Sequence, residues 1–312
     1  MFKSIAAAVI AATAHAALPT AQERASVADM EAAMKAFGRD QNYEIYKTPT
    51  DDGFVLTLFR LLPKAAPASK KGAVLVQHGL GMDATSWFSP QIYTDGNADT
   101  HALFALADEG YDVFLSNSRI SPFSNVHTKY PDADKPSSAN YAAQNKAKYA
   151  SGWYEMGKYD VPANLKKVTE VAGVEKATYI GYSQGTSQMF YALATNDATV
   201  NAKVDRAIML APCLYIDDET AEGSRPVTMD LYTSSVGVYE SEGVYHIGEP
   251  NLDANTKKIC TGAEDHEAAC ETIKQAPYIR TMGVASLKQY YQVAISNRFQ
   301  QTVADFTEDT ME

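Results

Sequence analysis

Positive charge is in short supply in this chain of 312 residues. Lysine and arginine together number 27 against 38 aspartates and glutamates, which gives a formal net charge of −11. An acidic surface argues against a nucleic-acid partner and against electrostatic docking on anionic lipid, but it leaves apolar contact with neutral lipid open. Beyond the N-terminal region no stretch approaches the length of a membrane helix, so no transmembrane segment is predicted.

Cysteine is equally scarce, with Cys213, Cys260 and Cys270 as the only three. An odd number leaves at least one thiol unpaired within the chain. Cys260 and Cys270 lie ten positions apart, so a small disulfide loop between them is predicted. Cys213 ends an apolar run and is predicted to be a buried free thiol. We find no cluster of residues with metal-ligand spacing, and we expect neither a metal nor an organic cofactor.

The N-terminus has the pattern of a secretory signal peptide. Lys3 supplies positive charge, residues 5–13 are a short apolar run, and Ala14-His15-Ala16 fits a small-x-small cleavage site. We therefore predict a signal peptide over residues 1–16 and a mature protein that is secreted or resides in a lysosome- or vacuole-like compartment. The alternative is an alanine-rich helix that stays attached.

The remaining sequence divides into two regions. Residues 17–213 begin with a helix at 25–37 and a hairpin that turns at Asp52-Gly53, and then alternate short apolar strands with helices. This alternation predicts a mostly parallel sheet covered by helices on both faces. The predicted strands are GAVLVQH, YDVFLSN, KATYIGYS and DRAIMLAPC, and the predicted helices cover residues 100–110, 154–173 and 184–195. In residues 214–312 the strand rhythm stops, and we predict a mostly helical cap or lid.

One serine stands at the junction of a predicted strand and a predicted helix. The stretch Gly181-Tyr182-Ser183-Gln184-Gly185 fits G-x-S-x-G, in which a sharp, strained turn lifts the serine hydroxyl out of the sheet. Glycines are needed at both ends because side chains there would collide with the neighbouring strand and helix. The alternative is a plain Gly/Ser turn, but the strand and helix on either side favour a nucleophile.

An acyl-transfer site also needs backbone N–H groups that hold the oxyanion. The N–H of Gln184, directly after the serine, is one predicted donor, and the N–H of Leu80 in the loop His78-Gly79-Leu80-Gly81 is the other. We expect His78 to brace this loop rather than to act as the base.

Several motifs together resemble the acid lipase family, that is, the gastric and lysosomal acid lipases. They are YEIYKTPTDDGFVLTLFRL, HGLGMDATSW, LADEGYDVFLSNSR, YEMGKYDVPA and YIGYSQGTS. The resemblance implies an α/β-hydrolase fold with a lid, acting on triacylglycerols or sterol esters. By position, Ser183 matches the family's nucleophile, Leu80 and Gln184 match its oxyanion donors, and the Cys260–Cys270 pair resembles a cap disulfide. The chain departs from the family at Ile120, where glycine is usual.

The base that would activate the serine is missing from the pattern. In this fold the triad acid and histidine follow the serine on later strands. Only His246 and His266 follow Ser183, and neither comes after an apolar strand. We predict that both are exposed cap residues and that the triad Asp and His are absent from this chain. The sequence is then a fragment whose last two strands are missing, or a chain that has lost catalysis.

Such a chain would expose an unpaired sheet edge, and we expect it to be poorly soluble or inactive when expressed alone. Two function hypotheses remain. The first is a serine ester hydrolase of neutral lipids, with an esterase or thioesterase of short soluble substrates as its nearest alternative. The second is a non-catalytic, lipase-like lipid-binding protein.

Overall fold

A computed structural model describes residues 21–88, 100–213, 235–248, 252–261, 266–274, 281–287 and 289. The predicted signal peptide lies outside the described residues, and so do residues 214–234 and 290–312 of the predicted cap. No helix in the described part of the chain is long and apolar enough to cross a membrane.

The described strands form a mixed sheet whose centre is parallel. The hairpin predicted at Asp52-Gly53 is present, with β1 and β2 antiparallel and Gly53 at a positive φ of 116°. The main order is β1-β2-β4-β3-β6-β7, in which β4, β3, β6 and β7 run parallel, while β5 pairs with β2. The strands are β1 (Tyr43–Pro49), β2 (Phe54–Leu61), β3 (Gly72–Gln77), β4 (Tyr111–Ser116), β5 (Val126–His127), β6 (Ala177–Tyr182) and β7 (Val204–Leu210).

Helices cover this sheet on both faces. They are α1 (Ala21–Lys35), α2 (Ala102–Asp108), α3 (Tyr141–Lys148), α4 (Trp153–Glu155), α5 (Val161–Ala172), α6 (Gln184–Ala194) and α7 (Ala198–Lys203), with a 3₁₀ turn at Ala84–Phe88. Strand β3 shows the double cover, because Val74 and Val76 pack into one apolar cluster with α1 and α2, whereas Leu75 packs into a second cluster with α5 and α6. Alternate side chains of a strand point to opposite faces, so this strand is buried from both sides.

The single helix predicted over residues 154–173 is wrong in one respect. A π turn, Met156–Asp160, separates α4 from α5. Gly157 lies in this turn, packed so closely against α6 that a Cβ there would come within 2.6 Å of the Gln188 carbonyl oxygen. The helix therefore widens where it meets α6, and the predicted end at Gly173 holds, with φ at 68°.

Strand β7 differs from the other parallel strands in its exposure. Its side chains are mostly exposed, including Ile208 at 43% and Leu210 at 42%. Among the described residues β7 pairs with β6 alone. Strand β7 is therefore an edge strand of the sheet among the described residues, and it carries exposed apolar side chains.

The C-terminal region, by which we mean the described residues from 235 to 289, has a small core of its own. Helix α8 covers 235–241, followed by β8 (His246–Gly248), α9 (Leu252–Cys260), α10 (Glu267–Lys274) and β9 (Thr281–Gly283). Strands β8 and β9 pair antiparallel. Tyr239, Ile247 and Ile259 are buried together, and Cys260 and Cys270 form a disulfide, as predicted from their spacing.

Candidate active site

Ser183 occupies a sharp turn between β6 and α6. Its backbone has φ 50° and ψ −118°, a combination that a residue with a side chain adopts only under strain. The turn is held by backbone bonds: the Ser183 N–H donates to the Leu210 carbonyl at 3.0 Å, and the Ser183 carbonyl accepts from the Thr186 N–H at 2.8 Å. These contacts keep the side chain at the end of β6, where it is half-buried.

The two glycines of the motif leave no room for side chains. A Cβ on Gly185 would lie 2.7 Å from the Gln77 carbonyl oxygen and 2.9 Å from that of His78. A Cβ on Gly181 would lie 2.9 Å from the Gly185 carbonyl carbon and oxygen. Helix α6 therefore starts directly against the end of β3, which is the close approach that the G-x-S-x-G pattern predicts.

The loop after β3 reaches Ser183 from the neighbouring strand. Strands β3 and β6 pair parallel with Gln77 opposite Gly181, so their carboxyl ends meet at one edge of the sheet. A Cβ on Gly79 would lie only 3.1 Å from the Ser183 Cβ. The loop that carries Leu80 is thereby packed beside the serine.

The two ring nitrogens of His78 contact the backbone of this loop and of the segment after β4. Its Nδ1 lies 2.8 Å from the Gly79 carbonyl oxygen, and its Nε2 accepts from the Ser118 N–H at 3.0 Å. Since Nε2 accepts, the proton resides on Nδ1 and the ring is neutral. Burial lowers the pKa of His78, so the neutral form persists at physiological pH. Both ring nitrogens bond to backbone, which fits the expected bracing role.

The two predicted oxyanion residues lie on either side of the serine. Gln184 is the first residue of α6 and is 3% exposed, and its side-chain Nε2 has no hydrogen-bond partner among the described residues. Leu80 is half-buried, and its side chain packs against the apolar cluster of the C-terminal region. The loop at Leu80 therefore touches both the turn at Ser183 and the C-terminal region.

The side chain next to the Ser183 hydroxyl is that of Cys213. The Cys213 Sγ lies 3.8 Å from the Ser183 Oγ, and no other side-chain partner of that hydroxyl occurs in the described residues. Helix α6 fixes this position, because the Cys213 N–H donates to Thr186 Oγ1 at 2.9 Å and the Ser187 hydroxyl donates to the Cys213 carbonyl at 2.8 Å. The thiol is free as predicted, but the prediction that it is buried is wrong, since it follows the exposed strand β7 and is half-exposed.

The two late histidines, His246 and His266, are both more buried than the sequence predicts. The prediction that they are exposed is wrong. His246 is buried, because β8 packs on the loop before α4 and the imidazole stacks on Tyr149. His266 is half-buried, with Nδ1 3.2 Å from the Ile259 carbonyl oxygen. Neither ring hydrogen-bonds to Ser183.

A buried ion-pair network anchors the segment after β4, and sequence reasoning missed it. The guanidinium of Arg119 is fully buried and donates to the Asp160 carboxylate at 2.7 and 2.9 Å and to Asp52 at 2.7 Å. The π turn brings Asp160 to this position, and the hairpin turn brings Asp52. The arginine was visible in the motif, but its partners come from elements far apart in the chain.

The residue after this arginine explains the departure from the family pattern. Ile120 has φ 63°, a left-handed conformation that favours glycine. Its side chain is buried with Phe54, Leu56 and Tyr149. Burial of the isoleucine side chain stabilises the segment and offsets the backbone strain of about 1 kcal/mol or more.

Two family models match the chain. Residues 38–91 match the partial alpha/beta-hydrolase lipase region, and residues 72–230 match the alpha/beta hydrolase fold. The second match covers just over half of the 312 residues. The chain therefore belongs to the α/β-hydrolase family, and the fold class predicted from the sequence is confirmed.

Within that family the chain is similar to proteins named as lipases, which confirms its resemblance to the acid lipases. It is 34% identical over 178 residues to Lipase lipl-3 of Caenorhabditis elegans, covering 56% of this chain and 40% of that protein. It is 35% identical over 173 residues to the mouse gastric triacylglycerol lipase (54% and 39%) and over 242 residues to Lipase lipl-1 of C. elegans (73% and 54%). The chain thus spans about two fifths to half the length of these relatives.

Proposed function

We propose that this chain carries the nucleophile half of a serine ester hydrolase, with Ser183 as the nucleophile and the N–H groups of Leu80 and Gln184 as oxyanion donors. The observation that carries this proposal is the strained turn at Ser183, against whose Cβ the Gly79 loop packs. A plain Gly/Ser turn has no need of a strained serine or of a second loop at that point.

The chemistry follows from this arrangement. The Ser183 Oγ attacks the ester carbonyl carbon while its proton passes to a base, and the carbonyl oxygen becomes an oxyanion. The N-terminal end of α6 places peptide N–H groups and the positive end of the helix dipole beside that charge. The C–O bond to the alcohol then breaks, the alcohol leaves protonated, and water hydrolyses the acyl-serine to acid and free enzyme. The triad Asp and His that would serve as orienter and base are not identified among the described residues.

Neutral lipid esters are the proposed substrates. Relatives of this chain include a protein named as a gastric triacylglycerol lipase, and the acid-lipase resemblance adds sterol esters. The net charge of −11 disfavours anionic lipid surfaces. We further propose that residues 214–312 form a cap over the acyl site, because Leu80 packs against the C-terminal cluster. Residues 1–16 would act as a signal peptide, and the protein would be secreted or lysosomal.

A fluorophosphonate probe tests the nucleophile. The folded 312-residue chain should be labelled at Ser183, Ser183→Ala should abolish the label, and Ser241→Ala, which changes an exposed serine of α8, should leave it unchanged. A folded chain without label at Ser183 would contradict the proposal. A p-nitrophenyl ester series then separates a lipase, which favours long acyl chains, from an esterase of short soluble substrates.

The second candidate is a non-catalytic lipid-binding protein. The observation that favours it is the neighbourhood of the Ser183 hydroxyl, whose side-chain partner among the described residues is a thiol at 3.8 Å rather than an imidazole. Without an adjacent base a serine hydroxyl is a poor nucleophile. Partition of folded chain onto a triolein emulsion, with no label and no ester turnover, would favour this candidate.

A further inference from the structure

The imidazole of His246 lies where the C-terminal region meets the core. His246 belongs to β8, and its ring stacks on Tyr149 with 4.7 Å between ring centroids and an interplanar angle of 10°. Tyr149 follows α3 in the core, so this stack joins the two parts of the chain. Both side chains are almost fully buried. A neutral imidazole suits this apolar contact, whereas an imidazolium would have to lose its hydration there.

The charged groups beside this stack belong to the core. Lys148 donates to the Asn125 carbonyl at 2.6 Å and forms an ion pair with Asp134, and the Tyr149 hydroxyl donates to Asp134 at 2.6 Å. The lysine is therefore a fixed cation close to the ring, and Asp134 is already engaged by two partners. Burial, and next the Lys148 charge, lower the pKa of His246 to about 4, while Asp134 and the backbone of Ile120 oppose that shift.

Contacts of the β8–β9 pair connect His246 to the segment that follows β4. In the β8–β9 pair, His246 lies opposite Gly283, and a Cβ on Gly283 would come within 2.8 Å of the Ile120 Cδ1. Ile120 lies two residues beyond Ser118. The Ser118 N–H donates a hydrogen bond to His78 Nε2, and His78 braces the Leu80 loop. Release of β8 from the core would therefore remove contacts from the segment that supports this loop.

A second contact, made by Gln289, joins the C-terminal region to α4 and does not involve a histidine. Gln289 accepts from the Tyr154 N–H at 3.2 Å and donates to the Glu155 carboxylate at 3.0 Å, and its amide fills the space beside Gly152. Because this contact remains after His246 is protonated, we expect a local opening at the β8–β9 end rather than complete detachment.

We propose that His246 is a proton-operated latch: the neutral ring holds β8 and β9 on the core, and protonation releases them. Well above pH 6.5 the ring is neutral whether docked or released, so docking is at full strength. As the pH falls from 6.5 towards 4, the released form binds the proton and the docked form does not, so docking weakens. A pKa of about 4 in the docked form against 6.5 in the released form allows a change of about two orders of magnitude in the opening equilibrium.

The consequence for access to Ser183 rests on the proposed function. Leu80 packs against the C-terminal cluster, so opening at acid pH would uncover the loop beside the serine. The latch itself is a conformational property, and its test needs no activity.

Hydrogen exchange followed by mass spectrometry between pH 7.5 and pH 4 measures the latch. After correction for intrinsic chemical exchange, peptides covering residues 244–248 and 281–287 should lose up to about 100-fold in protection as the pH falls, while α5 should not change. His246→Phe keeps an aromatic ring for the stack but cannot be protonated, and its protection should no longer depend on pH. His266→Gln, a change at the other cap histidine, is the matched control and should behave as the unmodified chain.

Constant protection of residues 244–248 in the unmodified chain would overturn the proposal, as would an unchanged pH response in His246→Phe. If His246→Phe does not fold, NMR titration of the His246 ring in the unmodified chain decides. A pKa well below 6.5 that coincides with the loss of protection supports the latch, and a pKa at or above 6.5 contradicts it.

Discussion

Gly185→Ala tests the close packing of α6 against β3 at the Ser183 turn. The new methyl group would lie 2.7 Å from the Gln77 carbonyl oxygen and 2.9 Å from that of His78. Both oxygens belong to backbone at the end of β3, and Gln77 is fixed opposite Gly181 in the parallel pair. The methyl group cannot be accommodated by rotation of a side chain, so α6 and β3 must move apart.

The expected cost follows from overpacking. Forcing a methyl group into a closed contact costs about 1–3 kcal/mol, and higher helix propensity of alanine returns at most about 1 kcal/mol at this position in the first turn. We expect a net loss of about 1–2 kcal/mol in the free energy of unfolding. The shift also moves the turn away from the Leu80 loop, so fluorophosphonate labelling of Ser183 should slow at least tenfold.

Gly237→Ala is the matched control for this substitution. Gly237 lies in α8, and a Cβ there would have no atom within 4 Å. The variant should be neutral or more stable by up to about 1 kcal/mol. Urea unfolding and labelling rates measure both variants. If Gly185→Ala matched Gly237→Ala in stability and labelling, the close approach of α6 to β3 would be refuted.

Two further predictions concern the surroundings of the site. Arg119→Met leaves the fully buried Asp160 without its partner and should cost about 3–5 kcal/mol, whereas Asp52→Asn should cost clearly less because Asp52 is a quarter exposed; equal losses in urea unfolding would contradict this ranking. Methylthiolation of Cys213, the one thiol outside the disulfide, should block fluorophosphonate labelling of Ser183. Cys213→Ala should be insensitive to the reagent, and labelling of the modified parent chain at the original rate would contradict the 3.8 Å approach.

Acid should weaken the hairpin contact of this network. Hydrogen bonds and the charge of Arg119 lower the pKa of Asp52 against the opposing effect of burial. A carboxylate with a lowered pKa stabilises the fold above its unfolded pKa, and that contribution is lost as the pH falls through the folded pKa. The loss thus falls below the ordinary range of aspartate titration, at lower pH than the release expected from His246.

The sequence predicts those parts of the molecule that local patterns determine. The run from Ala73 to Val76 is apolar throughout because both faces of β3 are buried, and the turn at Asp52-Gly53 is a local preference of its residues. The motif around Ser183 is equally local, because glycine spacing and strand-to-helix order are visible in five residues. These features transfer directly from sequence to structure.

Features that depend on contacts between distant segments could not be predicted. His246 has no apolar periodicity around it, and its burial depends on Tyr149 almost a hundred residues earlier. The π turn depends on the approach of α6 to Gly157. Cys213 was predicted to be buried because its neighbours in the sequence are apolar. It is half-exposed because it follows β7, whose side chains are mostly exposed in the described part of the chain.

The central claim is that the Ser183 hydroxyl and the amides of Leu80 and Gln184 form one site for a tetrahedral oxyanion. A crystal structure of the chain after reaction with a p-nitrophenyl alkylphosphonate tests this most directly, since the phosphonyl oxygen takes the place of that oxyanion. We expect a covalent bond from Ser183 Oγ to phosphorus, with the phosphonyl oxygen about 2.7–3.1 Å from both amide nitrogens. An adduct whose oxygen points to solvent, or contacts only one of the two amides, would contradict it.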